Sequence, residues 1–205
     1  MKKVKKTKNN LFAFIVVAIV GVGIIVGIMA YAFYVSANIE RPFVHARRIQ
    51  AQRLYDGTVG QNIEANYPTT PRRVMELYLM SFRLLHGDFI AMESMFFEVI
   101  DFQRLLFSEE LLERAGTREE QFATLMENLD IIAQTEVTIR SSELFEINLD
   151  YRYENTALAQ VRHNMLRYED LYRLYFLQMD ENDKWRIHSW RQTNSNFDVD
   201  SIIWD

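Results

Sequence analysis

The sequence predicts an α+β protein in which an N-terminal transmembrane helix precedes α-helices packed on a four-stranded antiparallel sheet. Three observations carry this. Leu11 to Val35 is one run of 25 residues without a charge. From Thr70 to Ala133 the apolar side chains recur at helical spacing, and after Gln134 they alternate, as far as Thr193. Helices first and antiparallel strands after is the segregated order of α+β domains.

The uncharged run spans ~37 Å as a helix, more than a hydrocarbon core of about 30 Å requires. Residues 1–10 form a basic tail with Lys2, Lys3, Lys5, Lys6 and Lys8, whereas Ser36 to Val44 holds Arg41 as its one basic residue. The positive-inside rule then keeps the N-terminus in the cytoplasm and places the C-terminal domain outside, as in a single-pass protein of the cell membrane. Tyr31, Phe33 and Tyr34 cluster at the outer end, where aromatic rings favour the headgroup layer. The rival reading is a signal peptide cleaved after Ala37, against which stand the length of the run and its bulky aromatics. Both readings export the domain. Gly23 and Gly27 have the small-xxx-small spacing of a helix-dimer face, although glycine is common in membrane helices for other reasons.

Residues 36–66 read as a juxtamembrane helix, Arg41 to Tyr55, and a linker rich in Gly, Asn and Thr from Gly57 to Thr70, with a domain boundary near Asn66. With the five N-terminal lysines set aside, 18 basic residues face 28 acidic ones, a formal charge of about −10 on the exported part. Such a surface repels phosphate backbones, so no nucleic-acid partner is expected. Cysteine is absent. Disulfides and thiolate chemistry are excluded with it, and the core alone must hold the domain.

In residues 67–205, Thr70 caps a helix with Pro71 at its first position and Val74, Leu77, Tyr78, Ser81, Phe82 and Leu85 on one face. Gly87 ends it. A second helix is expected from Asp88 to about Phe107, with Phe89, Met92, Phe96, Val99 and Leu106 at helical spacing and Phe97, Ile100 and Phe102 widening the stripe, so that it is buried on more than one side. Ser108 caps a short helix through Leu112. Thr117 and Glu120 make a capping box for the next, with Phe122, Leu125, Met126 and Leu129 as its stripe. Strands are expected over Val137–Ile147, Leu158–Leu166, Asp170–Met179 and Lys184–Thr193, the last two joined by the acidic turn Asp180–Asp183.

Residues 67–193 resemble the nuclear transport factor 2-like superfamily. The resemblance lies in the TPRRVMELYLMSFRLL helix (Thr70–Leu85), in the MDENDKWRIHSW hairpin (Met179–Trp190) with Trp185-Arg186-Ile187 after an acidic turn, and in the order of elements between them. It implies a curved sheet closing into a cone. The whole chain also resembles an uncharacterised bacterial family in which a lysine-led span precedes such a domain. The superfamily includes isomerases and dehydratases with Asp, His and Tyr inside the cone. It also includes non-catalytic members such as the inner-membrane assembly factor of type IV secretion, which is likewise anchored and exported. No catalytic motif of the enzymes maps onto positions of this sequence.

The residues themselves carry little chemistry. His45, His86, His163 and His188 lie too far apart for helical metal-ligand spacing, so no metal site is expected. His86, beside Gly87, fits a helix C-terminus, where the dipole favours a cation. There is no nucleophile elbow and no phosphate loop, so no catalytic residue and no cofactor is expected. Tyr78, Phe82, Tyr175, His188 and Trp190 are the candidate cavity-lining residues, His188 sharing a strand face with Arg186 and Trp190. The expected function is a non-enzymatic, membrane-anchored protein that presents its domain for protein interaction, homo-oligomerisation or assembly of an envelope complex. The alternative is a binder of a small apolar ligand, or a lyase or isomerase, using the cone.

Overall fold

The computed structural model describes residues 28–29, 42–87, 93–149 and 155–197. The expected span Leu11–Val35, with Gly23 and Gly27, lies outside these residues except for Ile28 and Met29, which are helical. Among the described residues no helix is long and apolar enough to cross a membrane. Five helices precede four strands: α1 Pro42–Asp56, α2 Pro71–His86, α3 Glu93–Arg104, α4 Glu109–Ala115 and α5 Arg118–Thr135, then β1 Thr138–Leu149, β2 Thr156–Leu166, β3 Leu171–Met179 and β4 Trp185–Thr193. The sheet is an antiparallel meander in the order β1-β2-β3-β4.

Local chemistry sets the helix ends. Thr70 Oγ1 accepts from the Arg73 N–H at the start of α2, and Ser108 Oγ accepts from Leu111 N–H at the start of α4. Thr117 and Glu120 complete a reciprocal capping box on α5. Gly116 before it has φ +77°, and a Cβ there would collide with the Glu120 carboxylate of that same box. Glycine is therefore required by both backbone and space. The helix expected to run to Phe107 stops at Arg104. Beyond it the backbone turns to pair with β4: Ile187 N–H donates to Leu106 O at 2.8 Å and Ser108 N–H to Ile187 O at 2.9 Å. Two hydrogen bonds along a sheet edge replace the last helical turn and cover part of that edge.

One compact unit runs from Ala46 onward. It therefore starts well before the boundary expected near Asn66. Ala51 of α1 is buried against Leu84, Leu85, Phe96, Val99, Ile100 and Leu125. Past α1, Thr58 is fully buried with its hydroxyl donating to Leu54 O at 2.8 Å, and Ile63 enters the main core beneath α2. Tyr67 donates its hydroxyl to Trp185 O at 2.8 Å. A segment that looks like a linker by composition is thus packed, because its few apolar side chains find the core.

α2 lies at the centre, with Val74, Met75, Leu77, Tyr78, Leu79, Ser81, Phe82, Leu84 and Leu85 all buried. It packs on β1, β2 and β4, and on its other side on α3. The sheet's inner face carries Ala157, Ala159 and Val161 of β2 and Tyr175 and Leu177 of β3 in this core. Three bulges interrupt the ladders. Arg140 and Phe145 are extra on β1, and His188 is extra on β4, where Phe176 pairs with Ser189 but Leu177 with Ile187. Each bulge bends its strand and resets the side-chain alternation.

The Trp185-Arg186-Ile187 signature has a physical account. Trp185 and Ile187 are buried, while Arg186 between them donates to Asp180 Oδ2 at 2.9 Å and stacks over Tyr67 at 4.6 Å. Asp180 also accepts from the Asn182 and Lys184 N–H groups at 2.9 Å, which folds the turn. The packed role of residues 57–67 is testable. Ile63→Ala should destabilise the domain by roughly 2–4 kcal/mol in chemical denaturation, whereas the neighbouring exposed Glu64→Ala should change it by less than about 0.5 kcal/mol.

Candidate functional site

α5 is held mainly by α3. The Phe122 ring stacks on Phe97 at 4.2 Å, Arg118 lies 4.6 Å over the same Phe97 ring and pairs with Asp101 at 3.0 Å, and Leu125 is buried. These contacts all sit in the first half of the helix. Its second half stands over the inner face of the sheet without filling the space between, and a cavity of about 660 Å³ remains there. Gln121, Thr124, Asn128, Ile131 and Thr135 of α5 line one side, on the repeating face of the helix. Ile139, Met165, Leu171, Arg173 and Trp190 line it from the sheet, and Tyr78, Phe82, Leu85 and His86 from α2.

Aromatic rings close one end. Tyr78 packs on Phe82, Phe107 and Tyr175 at centroid distances of 5.7, 5.9 and 5.5 Å, and Trp190 lies 6.4 Å from Phe107. Elsewhere the wall meets solvent: Ile131, Tyr168 and Trp190 line the cavity while remaining 53, 73 and 41 % exposed. The volume falls in the range of small-molecule sites, and the walls are mostly apolar with a few polar groups.

Behind and within the sheet-side wall lie further polar groups at in-facing strand positions. The β2–β3 register sets His163 opposite Leu171 and Val161 opposite Arg173, so His163, Arg173 and Tyr175 share the inner face. His163 is fully buried. Its Nδ1 is 2.8 Å from Ser142 Oγ and its Nε2 3.4 Å from the Tyr175 hydroxyl. Burial, helped by the Arg173 charge and by His86, pulls its pKa down to about 3. His86 packs on Phe82 at 4.4 Å, and burial followed by the Arg173 charge lowers its pKa to about 4. Both imidazoles are therefore neutral at pH 7. The helix-terminal cation expected at His86 is corrected: desolvation and a neighbouring guanidinium outweigh a dipole contribution of about 1 kcal/mol. The Tyr78 and Tyr175 hydroxyls, pushed up by burial, stay protonated and able to donate.

Of the five candidate lining residues, Tyr78, Phe82 and Trp190 line the cavity. Tyr175 does not; it is fully buried behind the wall, beneath His163 and Tyr78. His188 is on the opposite side of β4. Following the in-facing Ile187 it points outward, against Phe176 at 5.5 Å and within 3.4 Å of Ser108 Oγ and 3.7 Å of the Glu110 carboxylate, and the bulge brings Trp190 back to the inner face. Trp190 thus shares the inner face with Ile187 rather than with His188. The sequence reading missed Arg173, His86 and His163 as site residues. A signal for two of them existed: Arg173 sits within the Leu171, Tyr175, Leu177 alternation and His163 between Val161 and Met165, polar residues on faces that are otherwise apolar. Among the described residues no group of three His, Asp or Glu is placed to hold a metal ion.

The neutral histidines have a measurable consequence. In the unfolded chain both titrate near 6.5, while in the folded chain their values are about 4 and 3. Below pH 6.5 the unfolded state binds protons that the native state refuses, so their contribution is complete above that pH and is lost as pH falls toward the folded values. The two together should remove about 3 kcal/mol of stability between pH 6.5 and pH 5. Urea unfolding across that window measures it, and a flat stability would mean that the imidazoles take up protons in the native protein as readily as in the unfolded chain.

No curated protein and no solved structure matches the chain. The profile of one family matches residues 1–190, nearly the whole sequence. The chain therefore belongs to the family described as Domain of unknown function (DUF6715).

Proposed function

We propose that this protein is a membrane-anchored binder of a small, largely apolar ligand, held in the cavity between α5 and the sheet on the extracytoplasmic side. The observation that carries the reading is the 660 Å³ apolar-walled space, open to solvent along part of its wall and floored by aromatic rings. A domain built only to present a surface has no need of such a cavity, and leaving it empty forfeits packing energy at roughly 24 cal/mol per Å³ in a dry core. The lysine-led apolar run supports anchoring and export. The order of helices and meander supports kinship with the nuclear transport factor 2-like cone, in which cavities of this kind are housed.

Binding is favoured over isomerase or lyase chemistry. His86, the imidazole on the wall, has a pKa of about 4 and is a weak base at neutral pH. No Asp or Glu is among the residues that line the cavity. The rim of Ile131, Tyr168 and Trp190 supports capture of an apolar molecule at the mouth.

The test uses the full chain in lipid nanodiscs with an uncharged alkyl diazirine. Labelling should map to Ile131, Tyr168 or Trp190, and Asn128→Trp, at an exposed wall position of α5, should cut that labelling at least fivefold. Labelling confined to residues 11–35, or unaffected by the block, would overturn cavity binding. A reporter fused to the C-terminus should be accessible only from outside the cytoplasm.

A further inference from the structure

We propose that the ligand is an amphiphile whose carboxylate head binds Arg173 and whose apolar tail lies along the rest of the cavity. This rests on the cavity reading above and names its ligand class.

Arg173 is the one charged side chain among the residues that line the cavity. It is partly buried, with its guanidinium 5.4 Å over the Phe82 ring. No ion pair joins it to a carboxylate among the described residues. Elsewhere in the fold Arg162 pairs with Glu143, Arg186 with Asp180 and Arg118 with Asp101. A guanidinium drawn out of water without a counterion is costly, and an anionic ligand offsets that cost when it arrives.

The surroundings select the anion's type. The nearest titratable neighbours are His86 on α2, His163 on β2 and Tyr78 and Tyr175; both imidazoles are neutral and both phenols protonated, so none repels an anion. One guanidinium offers a planar fork that a carboxylate meets with two parallel hydrogen bonds. A dianionic phosphate would bring a second charge with no partner in this wall. The rest of the wall carries no charge and is mostly apolar, with Leu85, Ile100, Ile132 and Ile139 beside the neutral Gln103, Gln121, Thr124, Asn128 and Thr135, which suits a hydrocarbon tail. Ile131, Tyr168 and Trp190, partly exposed on the same wall, extend that apolar surface.

The experiment measures displacement of dansyl-undecanoate from the full chain in nanodiscs, with empty nanodiscs as the blank and energy transfer from Trp190 as the signal. The competitors are dodecanoate, dodecanol and dodecylamine. Dodecanoate should compete at least tenfold better than dodecanol, and dodecylamine worst. Arg173→Gln should weaken dodecanoate about tenfold, to the level of dodecanol, and leave dodecanol unchanged; Arg173→Lys, which keeps the charge, should retain the preference for the acid. Equal competition by acid and alcohol, or an Arg173→Gln loss shared by all competitors, would overturn the carboxylate assignment while leaving apolar binding in place. Absence of saturable binding by any of them would instead overturn the cavity reading itself.

Discussion

The burial of α2 on nearly every side is the constraint from which the rest of this domain follows. Its sheet-facing side chains, Val74, Met75, Tyr78 and Phe82, join the cluster that includes Val161, Tyr175 and Ile187. Its other side, Leu84 and Leu85, joins a second cluster with Ala51, Phe96, Val99 and Ile100. Each such side chain contributes roughly 1.5–3 kcal/mol when fully removed from water. A helix so placed must be covered by something beyond the sheet, and α1 and α3 provide it. That requirement draws the segment after α1 into the fold, so that Thr58 and Ile63 are buried where composition suggests a tether.

The cavity arises from an imbalance in the same packing. α5 gains its hold on α3 through Phe122, Leu125 and Arg118, all in its first half. Its second half presents Asn128, Ile131 and Thr135 to the sheet, side chains that are exposed rather than interdigitated. Helix α2 reaches the sheet closely because its contact side chains fit between the small Ala157 and Ala159 and the rings of Tyr175 and Phe107. α5 has no such fit. The difference in standoff between the two helices is the space a ligand would occupy.

Inside that space the charges are arranged around a single guanidinium. Arg173 helps keep His86 and His163 neutral, and the hydrogen-bonded chain from Ser142 through His163 to Tyr175 fixes the groups behind the wall. Buried networks of this kind rigidify when their members are satisfied. Here the network backs the Arg173 face of β3, while Glu110, Glu120, Glu143 and Asp180 lie away from the cavity and are each held below their usual pKa by hydrogen bonds.

The sequence by itself determined the class of fold, the element order and most helix ends, because these depend on interactions within a few residues. Thr70, Ser108 and the Thr117–Glu120 box are local hydrogen bonds, and the switch from helical to alternating spacing after Gln134 is a local pattern. Tyr78 and Phe82, read as candidate lining residues from the helical spacing of α2, do line the cavity. Three matters were decided only in the tertiary structure. The bulge at His188 separates Trp190 from the face of Arg186 and His188, since one extra residue in a ladder resets a period of two. The extent of the domain depends on Ala51, Thr58 and Ile63 finding partners far along the chain. The site itself brings His86 of α2, Arg173 of β3 and Ile131 of α5 to one cavity through sheet register and the standoff of a helix, neither of which any spacing along the chain encodes.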